Sequence, residues 1–290
     1  MEIKKILVTG SNGQLGNELR LLAGNYPFFD FIFTDVAELD ICNAGAVSDF
    51  VAENSIDAII NCAAFTAVDR AESEEALAYE INAVAPGNLA REIEKRGGVM
   101  IQISTDYVFG GDSCVPYTED CAVKPFSAYG RTKLAGEKAA MEACGNTIVI
   151  RTAWLYSSFG HNFVKTMLKL GRERNELGVV YDQIGTPTYA RDLARAILEI
   201  LSSKIVPGVY HFTDEGVASW YDFTIAIHKS AGIETCKVRP LLTSEYPTPA
   251  TRPHFSVLDK TKIKKTFSLD IPHWMDSLSE CVKILEEQNS

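Results

Sequence analysis

From Ile3 to Arg151 the sequence alternates short, unbroken apolar runs with longer segments whose apolar residues recur every three or four positions. The runs Ile3–Thr9, Phe31–Thr34, Ala58–Asn61, Val99–Ser104 and Thr147–Arg151 read as strands. Between them Leu15–Leu22, Ala46–Val51, Ala76–Ile93 and Ala128–Cys144 read as helices. Strands joined through helices must cross over, which makes neighbouring strands parallel and covers both faces of their sheet. The expected fold class is therefore α/β, built on a doubly wound parallel sheet.

Beyond Tyr156 the alternation loosens. Helices are expected near Phe163–Leu170, Arg191–Leu201, Trp220–Ala231 and Trp274–Gln288, with a short strand at Val209–Phe212 and a Pro-, Thr- and Arg-rich loop at Tyr246–Pro253. This part reads as a smaller C-terminal lobe that closes over the crevice at the carboxyl ends of the strands. The 28 Lys and Arg stand against 38 Asp and Glu, a net charge of −10, which argues against a nucleic-acid partner held on a broad basic face. No stretch reaches the roughly 20 apolar residues of a membrane span, and the run Ile6–Val8 is short for a secretory leader. Seven scattered cysteines without a Cys-x-x-Cys pair indicate neither a zinc site nor a disulfide framework, and fit a cytoplasmic setting.

The first chemical motif, Gly10-Ser11-Asn12-Gly13-Gln14-Leu15-Gly16, joins the first strand to the first helix. One glycine makes the tight turn, another lets backbone approach a pyrophosphate, and the third lets the helix pack close to the sheet. The helix start adds free N–H groups and a positive dipole end. Asp35, at the end of the second strand, stands where an acid bonds an adenosine ribose and disfavours a 2′-phosphate, which leans toward NADH. An ordinary strand-end aspartate is the competing reading. Asp40 and Ile41 follow, and either flank an adenine or, with at least equal weight, are ordinary loop residues.

The second motif is Tyr129-Gly130-Arg131-Thr132-Lys133. Four residues apart on a helix, Tyr129 and Lys133 share a face. An ammonium beside a phenol of pKa about 10 favours the phenolate and brings its proton within reach of neutral-pH chemistry. Ser104-Thr105-Asp106, at the end of the fourth strand, adds a hydroxyl for a ketone oxygen that Tyr129 would protonate.

Together with Asn61-Cys62-Ala63-Ala64 and Asn82, these motifs resemble the extended short-chain dehydrogenases/reductases. A finer resemblance is to the branch of that family that reduces the C4 ketone of dTDP-4-dehydro-6-deoxy-L-mannose to dTDP-L-rhamnose. It rests on Ala64–Asp69, Ser104–Phe109, Tyr129–Glu137, Arg151–Tyr156, Asn162–Met167, Asp182–Pro187 and Pro247–Pro253, which run from near the third strand almost to the last helix. The resemblance implies a Rossmann-type NAD(P)-binding domain at residues 1–156. Residues 157–290 would mainly bind a dTDP-sugar, with some segments returning to the first domain. It further implies that Thr105 and Tyr129 polarise the ketone, and that Lys133 holds the nicotinamide ribose and tunes Tyr129. Gly10, Gly13, Gln14, Leu15, Gly16, Asp35, Asp40, Ile41, Ala63, Ala64 and Phe65 would line NADPH or NADH, since relatives use either. Thr105, Asp106 and Trp154 would contact the sugar, and Arg252 the diphosphate, a task suited to a planar guanidinium. Phe65 departs from relatives that carry His there. Some relatives form homodimers through acidic residues that hold Mg²⁺, and Glu18 matches one of these; a lone helix glutamate is more often solvated, and no metal is predicted.

Two other readings use the same residues. Nucleotide-sugar epimerases and dehydratases share the fold, but dehydratase-like members follow the strand-end Thr with Asp-Glu, whereas Asp106 is followed by Tyr107. A non-catalytic nucleotide-binding subunit, similar to the β subunit of methionine adenosyltransferase, would bind without turnover; the intact Thr105, Tyr129 and Lys133 set favours catalysis. Cofactor and substrate are both anionic and the chain is acidic. Attraction must then be local, at the Gly10–Gly16 turn for one and at Arg252 with Lys165 for the other.

Overall fold

The computed structural model describes residues 3–289. Five strands, β1 (Lys5–Thr9), β2 (Asp30–Thr34), β3 (Ala58–Asn61), β4 (Val99–Thr105) and β5 (Thr147–Thr152), are followed by shorter ones. These are β6 (Leu155–Tyr156), β7 (Glu176–Val180), β8 (Ile184–Gly185), β9 (Thr188–Tyr189), β10 (Gly208–His211), β11 (Ala218–Ser219) and β12 (Lys237–Leu241). The main sheet has the order β10-β5-β4-β3-β1-β2, with every pair parallel. β3 and β5 are buried along their whole length, which is why they read as unbroken apolar runs. The chain runs from β1 to β2 on one side and then crosses back to β3 on the other side of β1, so the crevice between β1 and β3 opens at their carboxyl ends.

The helices are α1 (Gln14–Leu22), α2 (Ala44–Glu53), α3 (Val68–Ala71), α4 (Glu75–Tyr79), α5 (Ala85–Glu94) and α6 (Ala128–Ala143), then α7 (Phe163–Glu173), α8 (Ala190–Leu201), α9 (Trp220–Ser230), α10 (Thr261–Phe267) and α11 (Trp274–Asn289). One face of the sheet is covered by Leu15, Leu19 and Leu22 of α1 with Leu193, Ile197 and Leu201 of α8. The other is covered by Val47 and Val51 of α2, Leu89 and Ile93 of α5 and Ala140 of α6. A second core gathers Val164 and Leu168 of α7, Phe223 of α9, and Trp274 and Leu278 of α11. The strand expected at Val209–Phe212 is β10, which extends the main sheet beside β5. Among the described residues no helix is long and apolar enough to cross a membrane, and all seven cysteines are free.

The stretch Ala76–Ile93, expected as one α-helix, contains a π-helical turn at Glu80–Val84 between α4 and α5. Pro86 has no N–H to offer the Asn82 carbonyl four residues back, so the α-helical ladder cannot close there. The Asn82 side chain is buried and works in three directions. It accepts from the Phe65 N–H at 2.8 Å and donates to the Phe65 carbonyl and the Thr132 hydroxyl, both at 3.1 Å. The Asn82 carbonyl lies against Gly136 of α6, at a spot that a Cβ would occupy.

Gly136→Ala is therefore expected to lower stability by about 1–3 kcal/mol, the usual range for overpacking. Gly145→Ala, where a Cβ meets nothing within 4 Å, is expected to stay within about 0.5 kcal/mol. Denaturant unfolding of the two variants checks the contrast.

Candidate active site

The glycine turn divides its tasks as the spacing suggests. Gly10 has φ +63°, and a Cβ there would lie 2.6 Å from the Ala63 backbone, so only glycine lets the turn meet the segment after β3. A Cβ on Gly16 would strike Ser11, which keeps α1 close to the sheet, whereas one on Gly13 would meet only the Gly10 carbonyl at 3.2 Å. Among the described residues the N–H groups of Gln14, Leu15 and Gly16 have no hydrogen-bond partner, and no side chain caps α1. Three free N–H groups at a helix start, next to an open glycine, fit a pyrophosphate.

Asp35 accepts from the N–H groups of Asn12 (3.0 Å) and Val36 (2.8 Å), tying the end of β2 to the turn. Asp40 is exposed and accepts from the Cys42 N–H, whereas Ile41 is buried beneath α2. Ala63 donates to Asn61, and Phe65, clasped by Asn82, packs with Ala71, Ala78, Ala128 and Tyr129. The Gln14 amide spans the halves of the chain, donating to the Leu155 carbonyl (3.4 Å) and accepting from Asn162 (3.0 Å). Asn162 also caps α7, and Lys165 on that helix bonds the Gly160 carbonyl next to Gln14.

The catalytic candidates converge at the carboxyl end of β4. Ser127 caps α6 by accepting from the Gly130 N–H, which places Tyr129 in the first turn and Lys133 one turn on. The buried Lys133 ammonium donates to the Ile103 carbonyl at 2.7 Å. That carbonyl ends a polar chain across the sheet: Thr9 to Asn61 (2.7 Å), Asn61 to Gln102 (2.8 Å), Gln102 to the Ile103 carbonyl (2.9 Å). Burial pulls Lys133 down to about 8, against the charge of Glu137. Burial also pushes the Tyr129 phenol up to about 12; the Thr105 hydroxyl lowers it and Asp106 raises it. The expectation that Lys133 draws the phenol toward phenolate is not met in this state, because the ammonium faces Ile103 and desolvation dominates. The phenol keeps its proton, as a donor to a ketone must.

Thr105 donates to Asp106 at 2.9 Å and accepts from the Tyr107 N–H at 3.2 Å. The second carboxylate oxygen of Asp106 is buried and makes no well-formed hydrogen bond, and burial pushes this acid up to about 6 against the pull of the Ser256 and Thr105 hydroxyls. Tyr107 meets Tyr129 edge-on, ring centres 5.5 Å apart. Trp154 has φ +48°, a backbone region that bulky residues rarely adopt, and stacks on Trp220 at 3.5 Å. Trp220 was expected only as the start of a helix, and its partnership with Trp154 spans 66 residues that no local pattern connects. Arg252 is paired with Asp69 through both terminal nitrogens (3.1 and 2.8 Å), and Asp69 also accepts from the Ala250 N–H. This bond to Arg252 holds the Asp69 carboxyl below its usual range. The pair fastens the Pro-rich loop to α3 beside Tyr107, whose phenol feels both charges.

Glu18 is fully buried, its oxygens engaged by the Ser157 hydroxyl (2.6 Å) and the Arg191 guanidinium (2.9 Å). With a fixed cation already at the carboxylate, this position does not fit Mg²⁺.

A sequence model of the family described as the RmlD substrate binding domain matches residues 4–287. The chain is 43% identical over 281 residues to the dTDP-4-dehydrorhamnose reductase of Escherichia coli K12, covering 93% of this chain and 94% of the relative. A crystal structure of a dTDP-4-dehydrorhamnose reductase from Clostridium acetobutylicum superposes with a TM-score of 0.93 at 46% identity, covering 97% of this chain and 99% of the other. The enzyme of the same name from Bacillus anthracis, solved in complex with NADP, gives 0.94 at 38% identity with the same two coverages. From residues 4–287, and across both the sheet and the C-terminal lobe, the chain belongs to the dTDP-4-dehydrorhamnose reductase family.

Proposed function

We propose that this chain reduces the C4 ketone of dTDP-4-dehydro-6-deoxy-L-mannose to dTDP-L-rhamnose with NADPH or NADH, in the cytoplasm. The observation that carries the reading is the meeting of a protonated Tyr129 phenol, the Thr105 hydroxyl and the Lys133 ammonium at the end of β4, beside a turn with three unpaired N–H groups. When bound along that turn, the cofactor supplies hydride to the ketone carbon.

Tyr129 donates its proton to the ketone oxygen, and the single Thr105 O–H, turned from Asp106 toward the substrate, donates a second hydrogen bond to the same oxygen. Both answer the negative charge that develops there as the carbon is reduced. The phenolate left behind gains from a nearby ammonium, which also offers its remaining N–H groups to the nicotinamide ribose. Asp106 bonds a sugar hydroxyl through its second oxygen, and Trp154, backed by Trp220, gives the sugar a flat apolar wall. Arg252, aimed by Asp69, takes the diphosphate. Residues 1–156 hold the cofactor and residues 157–290 chiefly the nucleotide sugar, with α8 and β10 completing the cofactor side. Asp35 sets a negative charge near the adenosine ribose and favours NADH without excluding NADPH.

Purified protein is expected to oxidise NADPH or NADH only when the ketosugar is present, and Tyr129→Phe to lose about 10²–10⁴-fold in kcat. Absence of oxidation with either cofactor would sink the proposal, and cofactor returned unchanged would point to an epimerase or dehydratase.

The shift of Asp106 has its own signature. Its folded-state value of about 6 lies above the unfolded value of about 3.9, so the native protein binds the extra proton and loses stability as pH rises through that window. Asp106→Asn removes this dependence. Between pH 4 and 7 the variant is expected to gain on the wild type by on the order of 3 kcal/mol, read from melting curves at each pH. A constant difference would show that Asp106 titrates normally.

A further inference from the structure

Tyr129, Lys133 and Glu137 follow at four-residue steps and so share one face of α6. Glu137 is 3% exposed, yet no step of the proposed reduction uses it. Its carboxylate accepts from the Ser104 hydroxyl at 2.5 Å and from Arg151 through Nε at 2.9 Å and Nη2 at 2.7 Å. Ser104 and Arg151 stand directly opposite each other on β4 and β5. The residue before Ser104 supplies the carbonyl that holds Lys133, and the residue after it is Thr105. The Arg151 guanidinium rests on the Phe109 ring, 5.2 Å from its centre.

A buried ion pair of this kind is often no more stabilising than apolar residues of the same volume. Stability alone therefore leaves its presence beneath the catalytic helix unexplained. We infer that Glu137, fixed by Arg151 and Ser104 one turn along the same face of α6, is a positioning residue that supplies the counter-charge keeping the Lys133 ammonium protonated. The inference rests on the reading of Lys133 as the partner of Tyr129.

The groups around this ammonium narrow the assignment. From α6 come Tyr129, kept neutral, and Glu137; from the segment after β3 comes Cys62, whose thiol burial pushes up to about 12, so that it too is neutral. From β4 come the Ile103 carbonyl and Ser104, and from β5 Arg151, which is engaged with Glu137. His211 of β10, beyond Arg151, is pushed down to about 3 by burial and by the Arg151 charge, and is neutral. Glu137 is left as the anion whose charge opposes the loss of the Lys133 proton.

The test titrates Lys133 by ¹³C NMR in protein carrying ¹³Cε-lysine, with the resonance assigned through Lys133→Arg and no cofactor needed. The wild-type midpoint is expected near 8, and Glu137→Gln is expected to lower it by about 1–3 pH units. Glu137→Asp should recover most of the shift. Should the unpaired Arg151 unfold the single variant, Glu137→Gln/Arg151→Met removes both charges and should show a smaller fall in the same direction, because the Arg151 cation that also disfavours the ammonium is gone. In turnover, activity is lost as pH rises through the Lys133 midpoint, so the basic limb of kcat/KM should move down with it. An unchanged midpoint in a folded variant overturns the inference. Wild-type protein that fails to oxidise NAD(P)H with the ketosugar overturns the proposed function instead, and leaves the titration to decide the role of Glu137.

Discussion

An ammonium inside a protein is costly unless hydrogen bonds and an opposite charge replace the water it has lost. Lys133 meets that condition with two devices of different range. The first is the Ile103 carbonyl, which also accepts from Gln102 at the end of a side-chain hydrogen-bond chain running back across β3 to Thr9 on β1. The second is Glu137, one turn further along α6 and anchored across two strands. Both depend on the parallel sheet bringing polar residues of neighbouring strands into register near their carboxyl ends. The crevice where α/β proteins bind ligands is here also the place where the sheet can solvate a buried charge.

The two halves of the chain are held around this crevice by contacts that involve candidate site residues or their near neighbours. Gln14, in the turn that would hold a pyrophosphate, bonds Asn162, the cap of α7. Arg252, in the Pro-rich loop, bonds Asp69 at the start of α3. Glu18, two residues beyond Gly16, bonds Arg191 of α8 and Ser157. A movement of the lobe relative to the sheet would thus be felt at the cofactor turn and at the substrate loop together, because the same side chains serve as joints.

Much of this was legible before any coordinates. The βα alternation set the sheet and its covering helices, since period and polarity along a strand reflect burial on both faces. The tight turn at Gly10 and the close packing at Gly16 were legible because a missing Cβ has few uses in a strand-to-helix turn. Tyr129 and Lys133 were legible as a pair, since helical spacing alone puts them on one face. What stayed hidden depends on distant register or on surroundings. Glu137 stands inside a recognisable block, but its meaning requires Arg151 to lie opposite Ser104 on the adjacent strand. The π-helical turn looks helical in any window, and only Pro86 hints at it. The phenol of Tyr129 was expected to ionise more easily beside a cation. It does the reverse because desolvation, which no spacing reports, outweighs a charge turned toward a carbonyl.

The acidic character of the chain bears on how Arg252 can serve a diphosphate while already paired. Its guanidinium is 24% exposed and the Asp69 carboxylate 40%, so water screens the pair and its net worth is about 0–1 kcal/mol. A guanidinium carries five N–H donors, and Asp69 and the Ala250 carbonyl use only the terminal nitrogens, leaving Nε free for a ligand. Asp69 therefore orients the fork at little energetic cost and without exhausting it. In a molecule with net charge −10, an unpaired arginine would be freer to turn toward other surface carboxylates. A weak, fixed acidic partner keeps the positive end in place for the diphosphate contact proposed for it.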